Sequence, residues 1–90
     1  MLGLVLITHA PLGDAIRQCV QHVMGSTPEG FVVVDVRSDE DIDQTVLRIQ
    51  DAAREVHTGT GVVFLTDLFG ATPSNAAVRA GVESLNVQTV

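Results

Sequence analysis

The 90 residues contain no lysine, tryptophan or tyrosine, a single cysteine and three phenylalanines, and their five basic residues, all arginine, face eleven acidic ones. With a formal net charge of -6, the chain repels phosphate backbones and anionic bilayers, which argues against nucleic acid or a membrane surface as partner and leaves basic protein surfaces. The lone Cys19 has no internal disulfide partner and no metal-ligand spacing around it, which fits a reducing cytoplasm and a core-packing role. No apolar run approaches the ~18 residues of a membrane span. The apolar opening from Met1 to Ile7 also lacks the basic flank and small-residue cleavage site of an export signal. A soluble chain with no direct membrane insertion is expected. Lacking lysine, the chain has no Walker phosphate loop, and no G-x-G-x-x-G follows a strand.

Hydrophobic residues make up 46% of the chain and charged ones 18%, the composition of one folded domain. A domain of this size buries only ~60–65% of the surface its unfolded chain exposes, so it has a core with little margin. Leu2 to Ile7, Phe31 to Val36 and Val62 to Leu65 are consecutive apolar runs, as in strands buried on both faces, and Val87 to Val90 is a weaker fourth. Between the first two, Leu12, Ala15, Ile16, Cys19, Val20, Val23 and Met24 recur at helical spacing until Gly25 stops them. Ser38-Asp39-Glu40-Asp41 predicts the start of a second helix, with Ile42, Val46, Ile49, Ala53 and Val56 on its apolar face and Gly59 at its end. Thr72-Pro73, an N-cap residue followed by a proline, opens a third helix running to about Arg79.

Alternating strands and helices imply parallel pairing with right-handed crossovers. The simplest solution is an α/β, three-layer αβα fold: a flavodoxin-like doubly wound parallel sheet of strand order 2-1-3-4. Its winding reverses between strands 1 and 3, and ligands bind such sheets at the carboxyl ends of those strands. That places His9, after the first strand, beside Asp67, after the third. Alone, His9 would read as a solvated loop histidine and Asp67 as a turn former. Together they suit catalysis: a neutral imidazole is a good nucleophile, and a carboxylate bonded to one ring nitrogen fixes its tautomer. Gly70, Ala71 and Thr72 lead into a helix N-terminus whose free N–H groups suit a phosphoryl group, with Thr72 also the natural N-cap. His22 and His57 read as structural, the latter in the last turn of the second helix, and a zinc site joining them to His9 and Asp67 would need ligands from opposite ends of the fold.

Leu4-Val5-Leu6-Ile7-Thr8-His9, Leu12-Gly13-Asp14-Ala15-Ile16 and the run from Val63 through Asp67, Gly70, Thr72 and Asn75 to Ala77 resemble the enzyme IIA domain of the mannose family of the bacterial phosphoenolpyruvate-dependent sugar phosphotransferase system. The resemblance covers the whole chain and implies that residues 1–90 form one such domain without the family's C-terminal strand and helices. It implies that His9 accepts a phosphoryl group from the phosphocarrier protein HPr and passes it to an enzyme IIB partner, that Asp67 orients His9, and that no metal or cofactor takes part. The family residue at the Thr72 position is usually serine, and threonine keeps its hydroxyl. Where the family often has glycine after the histidine, this chain has Ala10 and then Pro11.

With no further segment to cover the sheet, apolar side chains of Val62 to Leu65 and Val87 to Val90 on the first helix's side are expected to drive self-association, as a homodimer or otherwise. Two other readings compete. An aspartyl-phosphate receiver would use Asp67 as acceptor, but it wants an acidic pair after strand 1 and a late lysine. A noncatalytic regulatory module would only sense an anion in the crevice.

Overall fold

The computed structural model describes residues 2–57, 61–67, 79 and 87–89. These form β1 (Gly3–His9), α1 (Leu12–Met24), β2 (Phe31–Val36), α2 (Ile42–Val56), β3 (Val62–Thr66) and the short β4 (Val87–Thr89). All pairings are parallel and the sheet order is β2-β1-β3-β4. The central 2-1-3 order is the one expected, and β4 aligns Val87 with Val62. β1 runs on to His9, so this residue closes the strand instead of opening the loop. The third predicted helix lies outside the described residues except for Arg79, whose guanidinium donates to Asp43 Oδ1 at 2.8 Å.

Strand alternation divides the side chains between two faces. Val5 and Ile7 of β1, Val34 and Val36 of β2, and Val62 and Phe64 of β3 pack with Ile49, Ala52, Ala53 and Val56 of α2 into one buried cluster. Each large side chain there contributes about 1.5–3 kcal/mol by leaving water. The alanines let α2 lie close to the sheet. At its far end a Cβ on Gly3 would stand 2.5 Å from the Val56 carbonyl oxygen, which is closer than the packing tolerates.

The opposite face carries Leu4, Leu6 and Thr8, in register with Phe31, Val33 and Asp35 of β2 and, through Leu4 and Leu6, with Val63 and Leu65 of β3. α1 lies on this side against β1 and β2. Its apolar stripe is wider than the surface it covers: Val23 is 81% exposed, Met24 63% and Leu12 44%. Cys19 is exposed as well, so core packing is not its role. Of the apolar run expected to lie open on this side, Val63 and Leu65 are half-buried, whereas Val62 and Phe64 turn the other way and are buried under α2.

α1 ends as predicted, with Gly25 in the left-handed conformation at φ 82° and its N–H on the Gln21 carbonyl, a geometry glycine adopts without a Cβ penalty. α2 begins later than the acidic run suggests. Asp41 is its N-cap, accepting from Asp43 N at 3.2 Å, and Glu40 instead bonds sideways to Thr45 Oγ1 and Arg48 Nη1, each at 2.6 Å. His57 follows α2 in an extended conformation, so the helix stops before Gly59 and does not include His57.

Burial pushes the Glu40 carboxyl up, but the hydrogen bonds from Thr45, Arg48 and the Arg37 N–H outweigh it and hold the group below its ordinary 4.5. A carboxylate depressed in the folded state stabilises the fold above its unfolded pKa and loses that contribution as pH falls through the folded one. Glu40→Gln is therefore expected to cost about 1 kcal/mol at neutral pH. Denaturant titrations of both proteins should converge on acidification below the ordinary carboxylate range, and a constant difference down to low pH would contradict this assignment.

Candidate active site

β1 and β3 run side by side with Ile7 level with Thr66, so the residue after β3 emerges beside the end of β1. That residue is Asp67. One of its oxygens, Oδ2, accepts both the backbone N–H of His9 and the ring Nδ1, each at 2.8 Å. The Asp67 side chain is 14% exposed and that of His9 45%, so a sheltered carboxylate holds a ring that another protein can reach. With Nδ1–H donating to the carboxylate, the tautomer places the lone pair on Nε2. Anchoring the ring and its own backbone N–H to one oxygen also fixes the ring's orientation relative to the strand. This is the pairing expected of His9 and Asp67.

The turn between His9 and α1 has its own anchors. Ala10 N–H donates to the Val36 carbonyl at 2.9 Å, Ala15 N–H to the Pro11 carbonyl at 3.1 Å, and the Ala10–Pro11 peptide is cis. α1 has no capping side chain at its own N-cap position, Pro11. The missing acceptor comes from β2: Asp35 Oδ1 takes the Gly13 N–H at 2.9 Å and the Thr8 hydroxyl at 3.1 Å, and Oδ2 takes the Asp14 N–H at 3.0 Å. The first turn of α1 thus rests its free N–H groups on a carboxylate of the adjacent strand. Asp14 itself accepts from Arg17 and Gln18, and those bonds hold its carboxyl below the usual range.

Asp35 was not among the residues expected at the site. The available signal is a carboxylate one residue from the end of the otherwise apolar run Phe31 to Val36, where an unpaired charge would be costly. Gly13 permits the arrangement, since a Cβ there would collide with the Asp35 carboxylate and lie 2.6 Å from Val33 Cγ1 and 2.7 Å from Thr8 Oγ1.

Gly70, Ala71 and Thr72, expected to cradle a phosphoryl group, lie outside the described residues. His22 and His57 do not join the site: they stand at or just past the C-terminal ends of α1 and α2, which crossovers between parallel strands place at the amino ends of the strands, away from His9. Beside the His9 turn, at the carboxyl ends of β1 and β2, a cleft of about 600 Å³ opens between Ala10, Asp35, Arg37, Glu40 and Arg48. His9 is not among its lining residues.

The family profile described as the PTS system fructose IIA component, EIIA-man, matches residues 3–90. The chain belongs to this family. IIA components serve sugar phosphotransfer within the phosphotransferase cascade. Among solved structures, the phosphotransferase system component EIIA from Streptococcus agalactiae is 23% identical, with a TM-score of 0.84 over 100% of this chain and 68% of that one. The PTS IIA protein associated with the fucose utilization operon of Streptococcus pneumoniae is 20% identical, at 0.85 over 99% and 67%. A sigma-54 interaction domain protein from Enterococcus faecalis is 9% identical, at 0.75 over 99% and 66%. At these identities the likeness is one of fold. No curated protein matches the chain. Among the described residues, no helix of this IIA chain is long and apolar enough to cross a membrane.

Because Gly13 sits where three neighbours converge, Gly13→Ala should lower stability by about 1–3 kcal/mol, although alanine favours a helix interior over glycine elsewhere. Thermal unfolding would measure the loss, and an unchanged or raised midpoint would show that the contact at Asp35 is not tight.

Proposed function

We propose that residues 1–90 act as one IIA domain in which His9 Nε2 accepts a phosphoryl group from the phosphocarrier protein HPr and passes it to an enzyme IIB partner, in sugar uptake or its regulation. The observation that carries this reading is the double hydrogen bond of His9 to Asp67 Oδ2. In the acceptance step Nε2 attacks phosphorus, a nitrogen–phosphorus bond forms on His9, and the bond from phosphorus to the donor protein breaks, its electron pair staying with the donor. The His9 ring then carries a phosphoryl group on Nε2 and a proton on Nδ1, and the Asp67 carboxylate stabilises the positive charge that develops on it. Phosphoryl transfer passes through a loose in-line transition state, so positioning and charge compensation are the protein's main contributions. Gly70, Ala71 and Thr72 are assigned to hold the phosphoryl oxygens, and no metal or cofactor enters the scheme.

The acidic surface, net -6, suits partners with basic docking faces, whose association weakens as salt rises. The half-buried Val63 and Leu65 and the exposed stripe of α1 support self-association as a homodimer. The proposed setting is the cytoplasm, where the exposed thiol of Cys19 stays reduced.

Incubation with phosphoenolpyruvate and the general phosphotransferase proteins, followed by mapping of the modified residue, tests the assignment. The expected product is an acid-labile, base-stable phosphohistidine at His9, absent from His9→Ala. Asp67→Asn should fold normally and transfer about 10²-fold more slowly, the scale on which a reacting group misplaced by about 1 Å loses rate. Normal labelling of His9→Ala, or an acid-stable product, would overturn the proposal.

A further inference from the structure

We propose that Asp35 is a positioning residue for His9, holding the segment from Thr8 to Asp14 in the one arrangement that lets the ring meet Asp67; the inference rests on the reading of His9 as the phosphoryl acceptor.

Asp35 lies in β2, on the opposite side of β1 from Asp67. Its carboxylate bonds to residues on both sides of His9 in sequence. It takes the Thr8 hydroxyl one residue before His9, and the Gly13 and Asp14 N–H groups at the start of α1. Thr8 is 1% exposed, so its hydroxyl needs a protein partner, and Asp35 supplies it. Ala10 is tied to the same strand through the Val36 carbonyl. The turn that carries His9 is therefore held at both ends by β2, while the side chain of His9 is held by the residue after β3. His9 itself bonds to Asp67, and the residues that flank it in sequence bond to Asp35.

The chemistry requires a carboxylate at this place. Three donors converge on two oxygens, which an ionised acid accommodates and an amide does not, since in either orientation the NH₂ of asparagine would face a backbone N–H, of Gly13 or of Asp14. An apolar residue would take this acceptor away from the Gly13 and Asp14 N–H groups altogether, and Pro11 provides no side-chain cap. The consequence reaches His9 through geometry. A ring-to-carboxylate hydrogen bond weakens steeply once angle and distance drift, and a misplacement of about 1 Å in a reacting group costs up to about a hundredfold in rate.

The experiment compares the full chain with Asp35→Asn, Thr8→Val and Thr8→Ser. Thr8→Val keeps the shape and removes one donor while the two backbone bonds to Asp35 remain, and Thr8→Ser restores the hydroxyl. Circular dichroism and thermal melts establish folding. Two readouts follow: nitrogen-15 spectra of the His9 imidazole, which report the tautomer, and phosphoryl uptake resolved into kcat and KM for the donor protein.

The expected result for Asp35→Asn is a His9 tautomer population moved away from Nδ1–H, with kcat lower by about tenfold to a hundredfold and KM little changed. Thr8→Val should move both in the same direction by less, and Thr8→Ser should return them toward the parent. If Asp35→Asn fails to fold, the two Thr8 variants carry the test. Folded variants with the parental His9 spectrum and kcat would overturn the proposal. If the parent takes up no phosphoryl group, the reading of His9 as acceptor fails, and the imidazole spectra still decide whether Asp35 positions the ring.

Discussion

One oxygen of Asp67 accepts two hydrogen bonds from a single residue, the backbone N–H and the ring Nδ1 of His9, across the boundary between β1 and β3. Everything in the role proposed for the histidine depends on that contact. It chooses the tautomer, aims the ring, and places a negative charge beside the nitrogen that carries the proton. The rest of the fold sets the relative height and direction of two strand ends to within hydrogen-bonding tolerance. A parallel sheet does this well, since the register of β1 with β3 fixes Ile7 beside Thr66, and the following residues meet as a consequence.

The scaffold supports the site unevenly. Under α2 the sheet is closed by a continuous apolar cluster, with Ile7, Ile49 and Phe64 at 0% exposure. On the α1 side the polar network of Thr8, Asp35, Gly13 and Asp14 takes the place of apolar packing next to the site, and much of the helix's apolar stripe faces outward. Hydrogen bonds are directional where dispersion contacts are not. A turn that must present one ring in one orientation gains more from three bonds to a carboxylate than from another leucine. The apolar surface left over on this side supports the proposed self-association.

The element order and the neighbourhood of His9 and Asp67 were legible because both follow from periodicity. Consecutive apolar residues mark the strands, helical spacing marks α1 and α2, and the doubly wound order then leaves one place for two strand ends to meet. Asp35 was not legible in this way. Its donors lie 21 to 27 residues away in sequence, and an acid near the end of a strand has no periodic signature. Cys19 shows a second limit: spacing places it on the apolar stripe of α1, but whether the stripe is covered depends on how much sheet lies beneath it. The run Ser38 to Asp41 marks where α2 starts, but Asp41 alone caps the helix and Glu40 turns to Thr45 and Arg48. Local sequence does not distinguish a cap from a side-to-side bond one residue earlier.

The role proposed for His9 stands on the protonation of one ring, which nitrogen-15 spectroscopy of the unphosphorylated protein reads directly. At a pH where the imidazole is neutral, the His9 resonances should show Nδ1 carrying the proton and Nε2 unprotonated, with an Nδ1–H proton shifted downfield by its bond to Asp67. A His9 ring found mainly as the Nε2–H tautomer, the form an unconstrained histidine prefers, would contradict it.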